Sequence, residues 1–231
     1  MTSLNKKKII LDLCGGTGSW SRPYKEAGYD VRNITLPRWD VTSYFKSKSY
    51  ISFICDGQMD IQISKIYGIL AAPPCTMFSD ARTNAKTKRD LRGAMKIVEA
   101  CLDIIQEVQY HTKGDQSKTS PLRFWALENP WYGRLKWFLG KPAFEFSPYE
   151  FGDNYKKRTA LWGYFNEPVK KPTKMTKKMI ELCKTNSRPL PKFDYMKSKD
   201  IHPEYYKKFD RQTRRAITPK GFAEAFFASN R

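Results

Sequence analysis

Cys75 follows Pro73 and Pro74 directly, and this placement makes it the first candidate for chemistry in the sequence. Two consecutive prolines restrict the backbone and carry no N–H, so they predict a rigid turn that holds the next side chain in place. Taken alone, the motif indicates either a reactive thiol or no more than a tight turn. We expect the positive potential of the basic residues that follow to favour the thiolate: Arg82, Lys86, Lys88, Arg89 and Arg92.

Glu128 is the second candidate, because it comes directly after the apolar run 124–127. A carboxyl group at the end of a buried strand is unfavourable unless it is paired or used in chemistry. We expect burial to raise its pKa, and Arg158 to lower that pKa if the two side chains lie close together. Residues 151–159, which include Arg158, form a basic run that on its own would be a solvated surface.

A glycine loop at residues 12–19 is the third feature, and it follows the apolar run 8–13. Glycines allow a backbone to approach a ligand, and the free N–H groups at the start of a helix can face it. The loop lacks the lysine of nucleoside-triphosphate loops, which argues against that class of ligand. By itself it indicates either another nucleotide-type ligand or only a tight turn.

The elements that must position these residues are short apolar strands that alternate with helices. Strand, glycine loop, helix and strand at the start of the chain form one βαβ unit, which predicts an α/β fold with a mostly parallel sheet. Ser21 and Thr218 are expected to cap helices, and Asp56-Gly57 predicts a hairpin turn between 50–55 and 59–63. The predicted strands cover residues 8–13, 29–36, 67–72, 124–127 and 160–164, and the predicted helices cover 21–27, 94–110 and 218–229.

The net charge of +19 over 231 residues, with a pI of 9.7, is the strongest compositional feature. A field of this sign attracts polyanions, so nucleic acid is the expected partner rather than a membrane surface. Residues 167–215 contain 15 Lys/Arg against six Asp/Glu, together with recurring prolines, and are predicted to form a loop-rich basic appendage. No apolar stretch of 18 residues occurs, so no membrane span is expected.

The five cysteines are an odd number and form no CxxC motif or Cys/His pair. Neither a disulfide framework nor a metal site is therefore predicted, and a reducing cytoplasm is the expected location. His111 and His202 stand in polar surroundings and are expected to be ordinary surface residues.

Together and in this order, the motifs resemble those of the DNA cytosine-5 methyltransferase family. Residues 12–19 resemble its cofactor loop, Asp-Leu-Phe-Ala-Gly-x-Gly-Gly, and residues 73–79 resemble its catalytic Pro-Pro-Cys-Gln-x-Phe-Ser. Residues 128–130 stand where the family has Glu-Asn-Val, and residues 154–158 resemble its Gln-x-Arg-x-Arg motif. The closing helix resembles the last family motif, and the style is that of short phage-encoded members. The resemblance covers residues 9–163 and 214–230.

The resemblance implies a doubly wound, Rossmann-like α/β fold that transfers a methyl group from S-adenosylmethionine to carbon 5 of cytosine. Cys75 would add to carbon 6, Glu128 would activate ring nitrogen 3, and Arg158 would contact the base or its phosphate. The residues implied to hold the cofactor are Asp12, Leu13, Cys14, Gly16, Thr17, Gly18, Ser19, Asp40 and Pro73. Those implied to contact DNA are Ser79, Arg82, Lys86, Arg89, Lys156, Lys174, Lys177 and Lys178.

Some positions depart from the family pattern. Thr35 and Leu36 stand where an acidic residue normally holds the cofactor ribose. Thr76 replaces the glutamine after the catalytic cysteine, and Lys156 replaces the first arginine of the basic motif. These changes bear on cofactor affinity and phosphate binding more than on the chemistry.

The predicted organisation is a catalytic domain at residues 1–163, a short basic DNA-recognition segment at 164–213 and a closing helix region at 214–231. A monomer that acts on DNA is expected, in a host cytoplasm if the chain is phage-encoded. Two alternatives stay open: an RNA cytosine-5 methyltransferase, and a catalytically idle DNA-binding or anti-restriction protein. The presence of both Cys75 and Glu128 argues against the idle protein, and the missing ribose carboxylate argues for it.

Overall fold

The computed structural model describes residues 5–55, 57–80, 82, 85–114, 122–174, 177, 181, 205 and 207–231. Its strands are β1 (Ile9–Leu13), β2 (Asp30–Ile34), β3 (Tyr44–Lys46), β4 (Tyr50–Cys55), β5 (Gly57–Gln62), β6 (Ile66–Ala71), β7 (Phe124–Pro130), β8 (Phe144–Phe146) and β9 (Thr159–Tyr164). Its α-helices are α1 (Arg22–Glu26), α2 (Leu91–Gly114), α3 (Lys136–Leu139), α4 (Arg211–Ala216) and α5 (Lys220–Ser229). Short 3-10 turns lie at Asn5–Lys7, Ile63–Lys65 and Pro148–Phe151.

The central sheet has the strand order β2-β1-β6-β7-β9-β8. The first four of these strands run parallel, and β9 pairs antiparallel with both β7 and β8. The predicted mixed α/β fold with a mostly parallel sheet is therefore confirmed. From β1 the chain moves first to β2 on one side and later to β6 on the other, so the strand order reverses between β1 and β6. Open α/β sheets bind their ligands outside the carboxyl ends of the strands at such a switch point.

Both faces of the sheet are covered by apolar side chains. Residues that are adjacent in a strand point to opposite faces, so Ile10 and Leu11 of β1 belong to different clusters. Leu11 packs in the cluster that contains Ile104 and Cys101 of α2. Ile10 packs in the opposite cluster, with Tyr24 of α1 and Phe226 of α5. The sheet is thus fixed between α2 and the pair α1 and α5.

The antiparallel hairpin predicted around residues 56 and 57 is formed by β4 and β5, and β3 pairs with β4 to make a separate three-stranded sheet. Its buried side chains, Ile51, Phe53 and Ile61, belong to the same apolar cluster as α2. The third strand was not predicted, since its three residues are too short for a recognisable alternation.

Ser21 is the N-cap residue of α1, as predicted, but its hydroxyl donates to the carboxylate of Asp12 and makes no capping bond. The predicted cap of the last helix is wrong by one residue. Helix α5 begins at Lys220 with Pro219 as its N-cap, while the Thr218 amide donates to the Ser19 hydroxyl, 2.9 Å away. The Ser21 hydroxyl and the Thr218 amide both hold the glycine loop.

Within the described part of the chain, α2 and the shorter helices all lack the combination of length and hydropathy that a membrane-crossing helix requires.

Candidate active site

The loops after β1 and β6 lie side by side at the switch point of the sheet. Leu13 and Ala71 are register partners at the ends of these strands, and the Ala72 amide donates to the Leu13 carbonyl at 2.9 Å. The buried side chain of Asn129, on β7, donates from Nδ2 to the Pro73 carbonyl at 3.0 Å. Three neighbouring strands therefore position the turn that leads to Cys75.

Cys75 lies in a tight turn, in which its carbonyl accepts hydrogen bonds from the amides of Phe78 (3.0 Å) and Ser79 (2.8 Å). Its thiol is partly buried. The pKa of Cys75 is raised, first by burial and then by the negative charge of Glu128. The positive charges of Lys157 and Arg215 oppose this rise without cancelling it. The expectation of a thiolate is thus wrong for the free protein, since loss of hydration outweighs the nearby cations.

Two of the basic residues that follow Cys75, Arg82 and Arg89, donate hydrogen bonds to the backbone of their own loop. The Arg89 guanidinium donates to the carbonyls of Met77 (2.6 Å) and Ser79 (3.0 Å). Arg82 donates to the carbonyl of Thr87 at 2.8 Å, whereas Lys86 is exposed. Arg89 thus holds the backbone at residues 77–79 and Arg82 binds Thr87, while the cations that act on the thiol come from elsewhere in the chain.

Glu128 lies inside β7, opposite Leu161 of β9, rather than after the end of the strand as predicted. Burial is the main cause that raises the pKa of this carboxyl group, which confirms the predicted direction. The charge that lowers the pKa belongs to Lys157, where the sequence had suggested Arg158. Cys75, Glu128 and Lys157 therefore influence one another electrostatically at the carboxyl edge of the sheet.

Arg158 is directed to a different set of partners. Its guanidinium donates to both carboxylate oxygens of Glu145, at 2.8 and 2.7 Å, and lies 4.3 Å from the ring centroid of Trp131. Lys156 and Arg158 line a cavity of about 280 Å³ next to Glu145. Of the basic run 156–158, the middle residue acts electrostatically on Cys75, and the two flanking residues line this second space.

Sequence reasoning missed three residues that act on Cys75 or on the turn before it, namely Asn129, Lys157 and Arg215. Lys157 and Asn129 were visible as neighbours of residues already selected, but their roles depend on which way each side chain points. Arg215 lies on α4, about 140 positions after Cys75 in the sequence, and carried no signal of its own.

The glycine loop is built around the carboxyl group of Asp12, which is fully buried. Burial raises its pKa to about 6, although the Ser21 hydroxyl opposes the rise. A Cβ at Gly15 would lie 2.3 Å from that carboxyl carbon, so glycine is required there. Cys14, Gly16 and Gly18 have positive φ angles of 57°, 53° and 67°, which fold the loop back towards β2.

This loop fits a nucleoside-type cofactor such as S-adenosylmethionine. A Cβ at Gly16 would meet no atom within 4 Å, so its backbone faces open space. Leu36, which follows β2, is 68% exposed and offers an apolar surface to a flat ring. Asp40 accepts hydrogen bonds of 2.8 Å from the amide and hydroxyl of Thr42, which fix its carboxylate. Thr35, at the position of the missing ribose carboxylate, accepts a 3.2 Å bond from the Gly16 amide.

The remaining predicted residues are distributed around this edge. Leu13 is buried, Thr17 lies on the glycine loop, and Ser19 accepts the Thr218 bond described above. Lys174 and Lys177 are exposed beyond β9. Lys178, His202 and most of the predicted recognition segment lie outside the described residues, as does the side chain of His111.

Comparison with known proteins gives partial support for this interpretation. No family model matches the chain. The chain is 32% identical over 78 residues to the type II methyltransferase M.DdeI of Desulfomicrobium norvegicum. That stretch covers 30% of this chain and 19% of the relative, so the chain spans about a fifth of the length of the protein it matches. The similarity supports a relationship to methyltransferases.

Proposed function

We propose that the protein is an S-adenosylmethionine-dependent DNA cytosine-5 methyltransferase, with Cys75 as nucleophile and Glu128 as the acid that activates the base. The observation that carries the proposal is that hydrogen bonds join the ends of β1, β6 and β7 beside the glycine loop. The Cys75 thiol, the Glu128 carboxyl group and the Lys157 ammonium group act on one another electrostatically at this edge. The partial similarity to a methyltransferase supports methyl transfer.

The chemistry requires a covalent intermediate, because carbon 5 of cytosine is a poor nucleophile. The Cys75 sulfur forms a bond to carbon 6, and the ring π electrons move towards nitrogen 3, which takes a proton from Glu128. Carbon 5 then carries the electron pair that forms the new bond to the methyl group. Loss of the carbon 5 proton to solvent and cleavage of the sulfur–carbon 6 bond restore the thiolate, and nitrogen 3 returns its proton to Glu128.

The protonation states of Cys75 and Glu128 are coupled in a way that suits this sequence of events. The Glu128 charge is one cause of the raised pKa of Cys75. When Glu128 holds a proton against the base, that charge disappears and the thiol ionises more readily. Lys157 then remains as a cation that stabilises the thiolate. The nucleophile is thus activated when a base is in place.

S-adenosylmethionine, when bound, would supply the methyl group and leave as S-adenosylhomocysteine, whose sulfur keeps the electron pair of the broken sulfur–methyl bond. The residues that would hold it are those of the loop 12–19, with Leu36 and Asp40 beside it. Gly16 would allow close approach of the backbone, and the buried Asp12 carboxyl would maintain the loop conformation through Ser21.

DNA as the substrate is supported by the net charge of +19, because lysine and arginine contacts to phosphates dominate the affinity of proteins for DNA. A target cytosine must leave the base stack to reach a thiol at the edge of a sheet. We assign Ser79, Arg82, Lys86, Arg89 and Lys156 to the surroundings of the flipped nucleotide, and Lys174, Lys177 and Lys178 to phosphate contacts.

The proposal is tested by incubating the protein with isotopically labelled S-adenosylmethionine and three acceptors: duplex DNA, single-stranded DNA and structured RNA. Label at carbon 5 of cytosine in DNA, absent with Cys75→Ala, is the expected result. Label confined to RNA would replace the proposal with an RNA methyltransferase. No label in any acceptor, together with no cofactor binding by calorimetry, would indicate a catalytically idle protein.

A further inference from the structure

The segment between β7 and α3, continued into α3, exposes an unusual amount of aromatic surface. The side chains of Tyr132, Trp137 and Phe138 are 60%, 68% and 49% exposed. Trp131 is partly buried and packs against the apolar core. Clustered exposed aromatic groups are characteristic of binding surfaces rather than of ordinary solvated protein. We call residues 131–138 and Arg158 the aromatic surface.

Cations are interleaved with these rings. Arg158 lies 4.3 Å from the ring centroid of Trp131 and 5.8 Å from that of Tyr132. Lys136 lies 5.1 Å from Trp131, and Arg134 lies 5.2 Å from Trp137. Two acidic groups oppose them, since Glu145 pairs with Arg158 and Asp80 lies 3.7 Å from Arg134. The cations therefore outnumber the acidic groups at this surface.

The aromatic surface is attached to the catalytic turn by backbone contacts. Ser79 and Gly133 form an isolated β-bridge. The Arg134 amide donates to the Phe78 carbonyl at 2.9 Å, and the Asp80 amide donates to the Tyr132 carbonyl at 3.2 Å. A Cβ at Gly133 would lie 3.3 Å from the Phe78 carbonyl, so the two segments are in close contact. A chain bound on this surface would therefore lie at a fixed position relative to Cys75.

We propose that the aromatic surface stacks unpaired bases of single-stranded DNA that flank the target cytosine, an inference that rests on the proposed function. Aromatic rings with interleaved arginine and lysine bind single strands because every base has a π face and every nucleotide a phosphate. In an intact duplex these faces are covered by neighbouring base pairs. The preferred substrate is accordingly single-stranded or locally opened DNA.

The test measures the affinity for a short single-stranded oligonucleotide by fluorescence anisotropy. Trp137→Leu and Tyr132→Leu should each weaken binding by roughly 5- to 150-fold, the loss expected for removal of one base-stacking contact. Trp137→Phe, which keeps an aromatic face, should bind nearly as wild type. Tyr164→Leu is the matched control, because Tyr164 is 72% exposed at the opposite edge of the same sheet and should have no effect.

Salt dependence separates stacking from charge. Trp137→Leu should leave the slope of log affinity against log salt unchanged, whereas Lys136→Ala should flatten it by about 0.7, the value for one phosphate contact of a single strand. Equal binding by wild type, Trp137→Leu and Tyr132→Leu would overturn the inference and leave the surface to a protein partner. The binding measurement does not require methyl transfer, so weaker binding by these variants would support the aromatic surface as a DNA-binding site even if no methylation occurs. If the variants bind normally and methylate DNA, only the proposed function is supported.

Discussion

The Lys157 ammonium group donates a hydrogen bond of 2.7 Å to the backbone carbonyl of Arg215. This contact joins the residues before β9 to α4. The positive charges of both residues oppose the rise in the pKa of Cys75 that burial and Glu128 cause. Lys157 also lowers the pKa of Glu128. One ammonium group therefore acts on the proposed nucleophile and on the proposed acid, and it is held in place by the backbone of α4.

Removal of this ammonium group should make the thiol less reactive. In Lys157→Met the pKa of Cys75 should rise further, because burial and Glu128 are then less opposed. A neighbouring charge shifts a pKa by about one unit or more. A rise of about one unit leaves about a tenth of the thiolate at pH 8, so alkylation should slow about tenfold. The measurement is the rate of iodoacetamide labelling at Cys75, followed by peptide mass spectrometry. Lys25→Met, at an exposed position of α1, is the control, and equal labelling rates in both variants would remove Lys157 from the account.

Replacement of the carboxyl group should have opposite effects on two measurements. Glu128→Gln removes the negative charge that raises the pKa of Cys75, so alkylation of the thiol at pH 8.5 should become faster. The same variant cannot give a proton to the base, so single-turnover methyl transfer should fall by about 10²–10⁴-fold. Glu99→Gln, at an exposed position of α2, should change neither rate. A fall in both rates would mean that Glu128 is structural.

The hydrogen bond from Asn129 to Pro73 should contribute both to stability and to the position of the nucleophile. Asn129→Ala leaves the Pro73 carbonyl without this donor, at a cost of about 1–3 kcal/mol in the free energy of unfolding. Urea denaturation gives this value. Asn5→Ala removes the same kind of bond, a side-chain amide to the Ala27 carbonyl, away from the site. We expect methyl transfer to slow in Asn129→Ala and to be unchanged in Asn5→Ala; similar rates in the two would show that the bond does not position Cys75.

The order of the motifs was sufficient to predict the parallel sheet, the glycine loop and the turn that carries Cys75, whereas Glu128 lies inside β7 and not in the loop that was expected. These features depend on local patterns, namely apolar runs, glycines and prolines. The direction of side chains within the basic run 156–158 was not predictable, since Lys157 bonds the Arg215 carbonyl while Arg158 pairs with Glu145 of β8, and both partners are distant in sequence.

The protonation state of Cys75 shows a second limit of sequence reasoning. Basic residues nearby in sequence suggested a thiolate, but two of them, Arg82 and Arg89, donate to loop carbonyls. The cations that act on the thiol, Lys157 and Arg215, are distant in sequence. Burial, which has the largest effect on the pKa, cannot be read from neighbouring residues because it depends on the packing of the whole edge of the sheet.

Asp153 should make stability depend on pH. Its carboxylate accepts a bond from the Gly221 amide near the start of α5, and burial raises its pKa from 3.8 to about 6. The folded state therefore binds a proton more tightly than the unfolded state, so the free energy of unfolding should rise as pH falls from about 6 to about 4. One pKa unit corresponds to about 1.4 kcal/mol, and solvent contact of the partly buried Asp153 reduces the total to about 1–2 kcal/mol.

The variant Asp153→Asn tests this linkage, because it keeps an acceptor for Gly221 and cannot ionise. Its stability relative to wild type, from urea denaturation, should be more favourable at pH 8 than at pH 4. Asp90→Asn is the matched control, since Asp90 accepts the same kind of bond from the Gly93 amide at an exposed position. The linkage would be refuted if Asp153→Asn differed from wild type by the same amount at both pH values.

The covalent role of Cys75 is the central claim, and trapping the adduct tests it most directly. Wild-type protein, S-adenosylmethionine and DNA that contains 5-fluorocytosine should give a complex that survives denaturation, because the fluorine at carbon 5 cannot leave as a proton does. Mass spectrometry should locate the bound nucleotide on Cys75, and Cys75→Ala should give no such complex while it still binds DNA. A stable adduct on Cys14, Cys55 or another cysteine, or one that persists in Cys75→Ala, would contradict the account.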